Sequence, residues 1–225
     1  MKKRLVKLLN LLAVLLPNAL KITIYRRTMK AEIGPNVKIG MSFIHVRKLV
    51  LKEGSIIGNW SALRNLERLE LGKNARVGNK IYATAIPLGS QKHFSHRQDR
   101  FPALIMGEGA ALTGSHFLDC NDKITIGDFT LFAGRDTYVY THGIDMMEAR
   151  QDCAPIKIGR YCMIATRSLV LKGSELPDYS ALGAQSVLTK AYSAPYTLYA
   201  GSPAKPMKTL PPDAAFFERQ TRYIG

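Results

Sequence analysis

Residues 155–190 read PIKIGRYCMIATRSLVLKGSELPDYSALGAQSVLTK, and a period of six runs through them without a gap. Steps of six from Ile158 land on Ile164, Val170, Leu176, Leu182 and Leu188, all branched aliphatic residues. In a chain that is 46% hydrophobic, six such hits in one register arise by chance about 0.01 of the time, and about 0.05 once six registers are tried. A second column decides the matter. Four positions after each of the first five stand Cys162, Ser168, Ser174, Ser180 and Ser186, every one small. A helix repeats near 3.6 residues and an ordinary strand at two. A period of six with one bulky and one small position predicts a narrow prism of short strands. The bulky side chain of each face fills the axis, and the small one sits where the chain turns a corner.

The rhythm extends towards the N-terminus in shifted registers. It runs through Ile33, Ile39, Leu51, Ile57 and Leu63, with His45 as the exception, then Leu71 and Val77, then Met106, Leu112 and Leu118, then Ile126, Phe132 and Tyr138. Each shift marks an insertion, and two insertions are long. Residues 79–103 (NKIYATAIPLGSQKHFSHRQDRFPA) are polar, basic and aperiodic; residues 141–155 (THGIDMMEARQDCAP) carry a histidine near their start. Loops of this length in a repeat fold usually carry function or interactions.

These residues resemble the hexapeptide-repeat acyltransferases, over Ile33 to about Leu210. The most specific part is the order THGID, PIKIG, LGAQSVLTK and LYAGSPAKPMK, which is similar to that of the sugar O-acetyltransferases of the family; GSHFLDC ahead of ITIGDF looks like a branch acting on cell-surface glycans. Where many members read IG-x-x-V-W-IG, this chain has Ile158-Gly159-Arg160-Tyr161-Cys162-Met163-Ile164-Ala165, without the tryptophan and one turn glycine. The resemblance implies an all-β fold, a left-handed parallel β-helix, over residues 31–210. An N-terminal amphipathic helix and basic linker (1–30) would precede it and a tail (211–225) follow. It further implies acetyl-CoA as co-substrate, a sugar or glycan acceptor and a homotrimer.

Transfer of an acyl group from a thioester to a sugar hydroxyl requires a base, because the free hydroxyl is a poor nucleophile near neutral pH. His142, at the start of the second insertion, occupies the position of the family's catalytic histidine. Backbone N–H groups at a coil corner would suit the oxyanion, and the resemblance places that corner near Ala165 and Thr166. A channel for coenzyme A needs small residues for close approach and cations towards its end. Ala184, Thr189, Lys190, Lys205 and Lys208 match that description and the family's donor positions; a solvated basic C-terminus accounts for the lysines equally well. No residue here reads as a covalent nucleophile, so direct attack with both substrates bound is the simpler mechanism. His116 lies four positions after Leu112, in the small column, so its imidazole must be hydrogen-bonded inside the prism or push the corner outward. It is read either as support for His142 across one groove or as a buried structural histidine, and Asp119 as a carboxylate able to orient one of the two imidazoles.

Composition bounds the alternatives. The 225 residues carry 32 Lys and Arg against 17 Asp and Glu, a net +15, which points to anionic partners. The basic residues are scattered and the aromatics do not interleave with them, which argues against nucleic acid. A zinc hydratase of the same fold needs three histidines on its metal, and no histidine pair brackets a repeat corner, so no metal is expected. A non-catalytic β-helix scaffold stays open. Cys120, Cys153 and Cys162 form neither a disulfide framework nor a CxxC pair, which fits the cytoplasm. The start, MKKRLVKLLNLLAVLLPNALK, places Lys2, Lys3, Arg4 and Lys7 ahead of a leucine-rich stretch, with Arg26, Arg27 and Lys30 further on. No small-x-small cleavage site follows. The expectation is an amphipathic helix, lying on the inner face of an anionic membrane or capping the end of the prism.

Overall fold

The computed structural model describes residues 3–224, so Lys2 of the basic cluster lies outside the described residues. The chain winds a left-handed parallel β-helix with three faces. The first face stacks Glu32–Ile33, Lys48–Leu51, Arg68–Leu71, Ala103–Met106, Lys123–Ile126, Ile156–Ile158 and Glu175–Leu176. The second runs from Lys38–Ile39 to Thr197–Ala200, where Lys205–Thr209 adds antiparallel, and the third from Phe43–His45 to Val187–Leu188.

The bulky column of the sequence forms the axis. On the second face Val77 pairs with Leu112, Leu112 with Phe132, Phe132 with Ile164 and Ile164 with Leu182, all fully buried. Two members of the column are displaced. On the third face Ile44, not His45, points inward and pairs with Leu63. Val139, 1% exposed, replaces Tyr138, which is 46% exposed. The corner between Phe132 and Val139 holds one residue more than six allows, and a slip of one residue turns every side chain of a strand to the opposite face. The second insertion is also more ordered than an aperiodic loop: His142–Asp145 and Arg150–Cys153 form an antiparallel hairpin.

The small column works through hydrogen bonds at the corners. Ser42 Oγ donates to the Gly58 carbonyl (2.7 Å) and accepts the Ser61 N–H (2.9 Å); Ser61 Oγ accepts the Ile81 N–H (2.9 Å). Ser174 Oγ donates to the Leu188 carbonyl (3.0 Å), and Cys162 Sγ lies 3.0 Å from the Pro177 carbonyl. At these corners a short polar side chain reaches from one coil to the next and satisfies backbone groups that the corner removes from the ladder.

Helices α1 (Lys3–Leu12) and α2 (Asn18–Thr28) close the N-terminal end. The first coil has no coil above it, and α2 supplies the missing partners. Asn18 donates to the Val37 carbonyl (2.8 Å) and accepts the Ile39 N–H (2.9 Å), and the buried Lys21 ammonium donates to the Ile39 and Gly40 carbonyls. Asn10 of α1, also buried, accepts from Thr28 Oγ1 (2.8 Å) and meets His45 Nδ1 (3.1 Å). The opposite side of α1 and its extension leaves Leu5, Leu8, Leu12 and Leu15 exposed.

His116 belongs to the same corner column as Ser42 and Ser61. It is buried, its Nδ1 accepts the Thr137 N–H from the next coil (3.2 Å), and Nε2 faces Thr113 Oγ1 (3.2 Å), which donates onward to the Phe132 carbonyl (2.8 Å). The proton therefore sits on Nε2 and the ring is neutral; burial pushes its pKa down to about 4 from 6.5. Between these two values the unfolded chain binds a proton that the native state refuses, so stability is expected to fall as pH drops from about 6.5 to about 4, by on the order of 3 kcal/mol. Chemical denaturation across that range should show the slope in the parent protein and a flatter one in His116→Gln; equal slopes would mean the ring is protonated in place.

Candidate active site

The candidate site forms where the third face hands over to the first, at the corner interrupted by both insertions. Asp119 ends the strand Phe117–Asp119, and Tyr140 ends the strand one coil further on, paired directly with it. The chain then passes through buried Thr141 and enters the hairpin at His142. Adjacent coils therefore bring a carboxylate and an imidazole 23 positions apart into contact.

His142 Nδ1 meets Asp119 Oδ2 directly, with the imidazole side chain 25% exposed and the carboxylate 6%. The other carboxylate oxygen is held from three directions. It accepts from the Asn121 backbone N–H (3.0 Å), Asn121 Nδ2 (2.7 Å) and Thr141 Oγ1, which stands 3.3 Å away and donates more closely to the Asp119 carbonyl (2.8 Å). Asp119 is thereby fixed as an acceptor for the Nδ1 proton of His142. That tautomer leaves a lone pair on Nε2, the arrangement a general base requires. Asn121 Nδ2 also lies 3.2 Å from His142 Nδ1, but with the Nδ1 proton directed at Asp119 both groups are donors, so the amide braces the carboxylate and reaches the imidazole only through it. The sequence reading missed Asn121; the signal was the compact run Asp119-Cys120-Asn121-Asp122 just before the next periodic strand.

The remaining residues named from the sequence occupy other places. His116 sits on the corner between the second and third faces, a different edge of the prism, with both ring nitrogens engaged there. Its contacts are those of an architectural residue. Ala165, Thr166 and Ala184 lie on that same edge, between the strands Met163–Ile164 and Leu169–Leu171 and one coil beyond. The Ala165 N–H donates to the Leu182 carbonyl (3.0 Å), so within this chain it is committed to the ladder and does not serve an oxyanion. Thr166 Oγ1 donates to the Arg135 carbonyl (2.7 Å). Thr189 and Lys190 are exposed after the last strand of the third face, where Lys190 stands 5.3 Å over the Tyr192 ring. Lys205 and Lys208 project from the exposed antiparallel strand.

Burial pushes the Cys153 thiol up to about 11 and the Cys162 thiol to about 12, and raises that of Cys120 as well. None is poised as a thiolate near neutral pH. Among the described residues no three His, Cys, Asp or Glu side chains converge in the manner of a metal site. His93 instead bonds Gln151 (2.7 Å), and His45 meets Asn10.

No protein-family model and no curated protein sequence matches the chain. Solved structures do. The polySia specific acetyltransferase NeuO is 17% identical, with 80% of each chain covered and a TM-score of 0.58. A UDP-N-acetylglucosamine acyltransferase from Campylobacter jejuni is 14% identical, covering 80% of this chain and 70% of its own, with a TM-score of 0.56. At such identities the likeness speaks to architecture: the chain shares the three-faced β-helix of these proteins.

Proposed function

We propose that this protein is a coenzyme A-dependent acyltransferase that moves an acetyl group from acetyl-CoA to a hydroxyl, or an amine, of a sugar in cell-surface polysaccharide or lipid-linked glycan synthesis. The observation that carries the reading is the His142–Asp119 pair at an edge of the prism. The resemblance around Thr141–Asp145 and the activities named for NeuO and the Campylobacter jejuni acyltransferase support it. His142 Nε2 takes the proton of the acceptor hydroxyl as its oxygen bonds to the thioester carbonyl carbon. The tetrahedral intermediate then collapses, the C–S bond breaks, and the imidazolium returns the proton to the departing thiolate. Asp119 holds the tautomer and balances the imidazolium charge in between. The buried thiols, raised in pKa, support direct transfer over an acyl-cysteine route.

We further propose a homotrimer. The outer side of the third face carries Phe43, Tyr82, Phe117, Tyr138 and Tyr140; Tyr82 and Tyr138 are exposed, and the face leads directly to His142. An aromatic face of this extent calls for a partner, and copies meeting around a threefold axis would bring the donor residues of one chain to the histidine of another. We also propose a location in the cytoplasm, peripheral to the inner face of the membrane. The outward leucines of α1 and the exposed Arg4 and Lys7 would contact anionic lipid.

His142→Ala is expected to lower kcat for acetyl transfer by about two to four orders of magnitude with little change in melting temperature. A variant that keeps most of its turnover would place the base elsewhere. Light scattering should return a trimer mass that Tyr138→Glu reduces, and a persistent parent monomer would defeat the assembly. Removal of the N-terminal segment would also strip buried Asn10 and Ala13 from the cap. Leu8→Glu/Leu12→Glu/Leu15→Glu is therefore the cleaner probe of the membrane: it should abolish sedimentation with phosphatidylglycerol vesicles while leaving melting unchanged, and continued sedimentation would make the helix a cap alone.

A further inference from the structure

The first insertion folds onto the candidate site instead of extending into solvent. Phe94 is buried, and its ring meets that of His142 edge to face, centroids 5.9 Å apart at 87°. Its backbone lies in the left-handed region at φ +55°. A bulky aromatic persists there only where its surroundings over-determine it.

Those surroundings can be named. The guanidinium of buried Arg100 stands 4.7 Å from the centre of the Phe94 ring and donates to the Ile86 (3.0 Å), Pro87 (3.0 Å) and Asn121 (3.2 Å) carbonyls. Asn121 Oδ1 in turn accepts the Ile86 N–H (2.8 Å). The same asparagine that braces Asp119 therefore ties down the base of the insertion. At its far side Arg97 donates to Asp152 Oδ1 (2.6 Å) and to the Cys153 carbonyl, and Lys172 completes the latch on Asp152 Oδ2 (2.9 Å). These two contacts reach the hairpin strand that pairs with His142.

We propose that residues 85–102 form a clamp over the catalytic corner and that Phe94 is a positioning residue that fixes the His142 ring while Asp119 fixes its proton. The proposal rests on His142 being the base. Its physical basis is that one carboxylate contact at Nδ1 leaves the imidazole free to pivot about that bond. A ring packed against it removes the pivot and holds Nε2 in the line of proton transfer. The Arg97–Asp152 latch keeps the insertion and the hairpin together, so the clamp and the histidine move as one unit.

Kinetics and spectroscopy on the full-length protein test this. Phe94→Ala should lower kcat by about 10- to 100-fold while the KM values for acetyl-CoA and acceptor stay within about twofold, and Phe94→Leu, which refills most of the volume, should recover most of the loss. Arg97→Ala should produce a smaller kcat loss of the same kind. A Phe94→Ala kcat within about twofold of the parent overturns the proposal. So does a change confined to acceptor KM, which would make Phe94 a wall of the acceptor site. The second readout does not need turnover: the His142 ring signal in a proton–carbon correlation spectrum should shift on Phe94→Ala as the ring current of Phe94 is lost, with the rest of the spectrum retained. An unmoved His142 signal overturns the clamp. A parent protein with no transferase activity would instead overturn the assignment of function and leave the spectroscopic result to decide the clamp.

Discussion

Every part of this molecule depends on the register between successive coils. A backbone ladder alone would tolerate sliding, because parallel strands of two to four residues contribute few hydrogen bonds each. The bulky axial column prevents it: when Phe132 sits between Leu112 and Ile164, a slip of one residue would take Phe132 off the axis and put Leu131 or the much smaller Ala133 in its place, out of step with the coils on either side. The corner column adds direction, since hydroxyls such as those of Ser42, Ser61 and Ser174 each bond a particular backbone group on the neighbouring coil. Apolar filling sets how far apart the coils stand; the polar corners set which residue lies above which.

That register makes the candidate site. Asp119 and Tyr140 face each other because their coils are in step, and His142 follows Tyr140 by two residues. The two histidines of this part of the fold then diverge by environment. His116 is buried with both nitrogens committed to backbone and hydroxyl partners, which keeps the ring neutral near neutral pH. His142 is partly exposed and holds a carboxylate on one nitrogen only. One is a structural substitute for a corner serine, and the other has the open nitrogen that proton transfer requires.

The sequence made the prism legible because its signal is local and repeated: six-residue spacing, small corners, interruptions where insertions begin. It failed at Ile44 and Val139, where the spacing changes by one residue at a corner, a change that periodicity counts cannot assign to one side of a strand or the other. Asp119 was legible as a candidate partner for an imidazole, but which imidazole depended on the edge of the prism each residue occupies. The bracing by Asn121 and the packing of Phe94 were not legible at all. Both join segments more than 20 residues apart through an aperiodic insertion, Asn121 to Ile86 and Phe94 to His142, whose path follows from tertiary contacts and leaves no period to read. The commitment of the Ala165 N–H to Leu182 is of the same kind, since an N–H at a corner is free or bonded according to the geometry of the next coil.

The N-terminal helices show how one short segment meets two demands. An exposed first coil would offer its carbonyls and N–H groups to any passing strand; Asn18 and Lys21 answer that with bonds to its backbone, while Asn10 meets the His45 side chain from the same side of the helical pair. Capping needs only that side, and a helix with no further role would carry charge and polar groups on the other. Here the other side carries leucines at positions 5, 8, 12 and 15, a continuous stripe at helical spacing, flanked by Arg4 and Lys7. Burial of the cap cannot account for them, because they face away from it. The corner holding His142 lies several coils along the prism from this capped end.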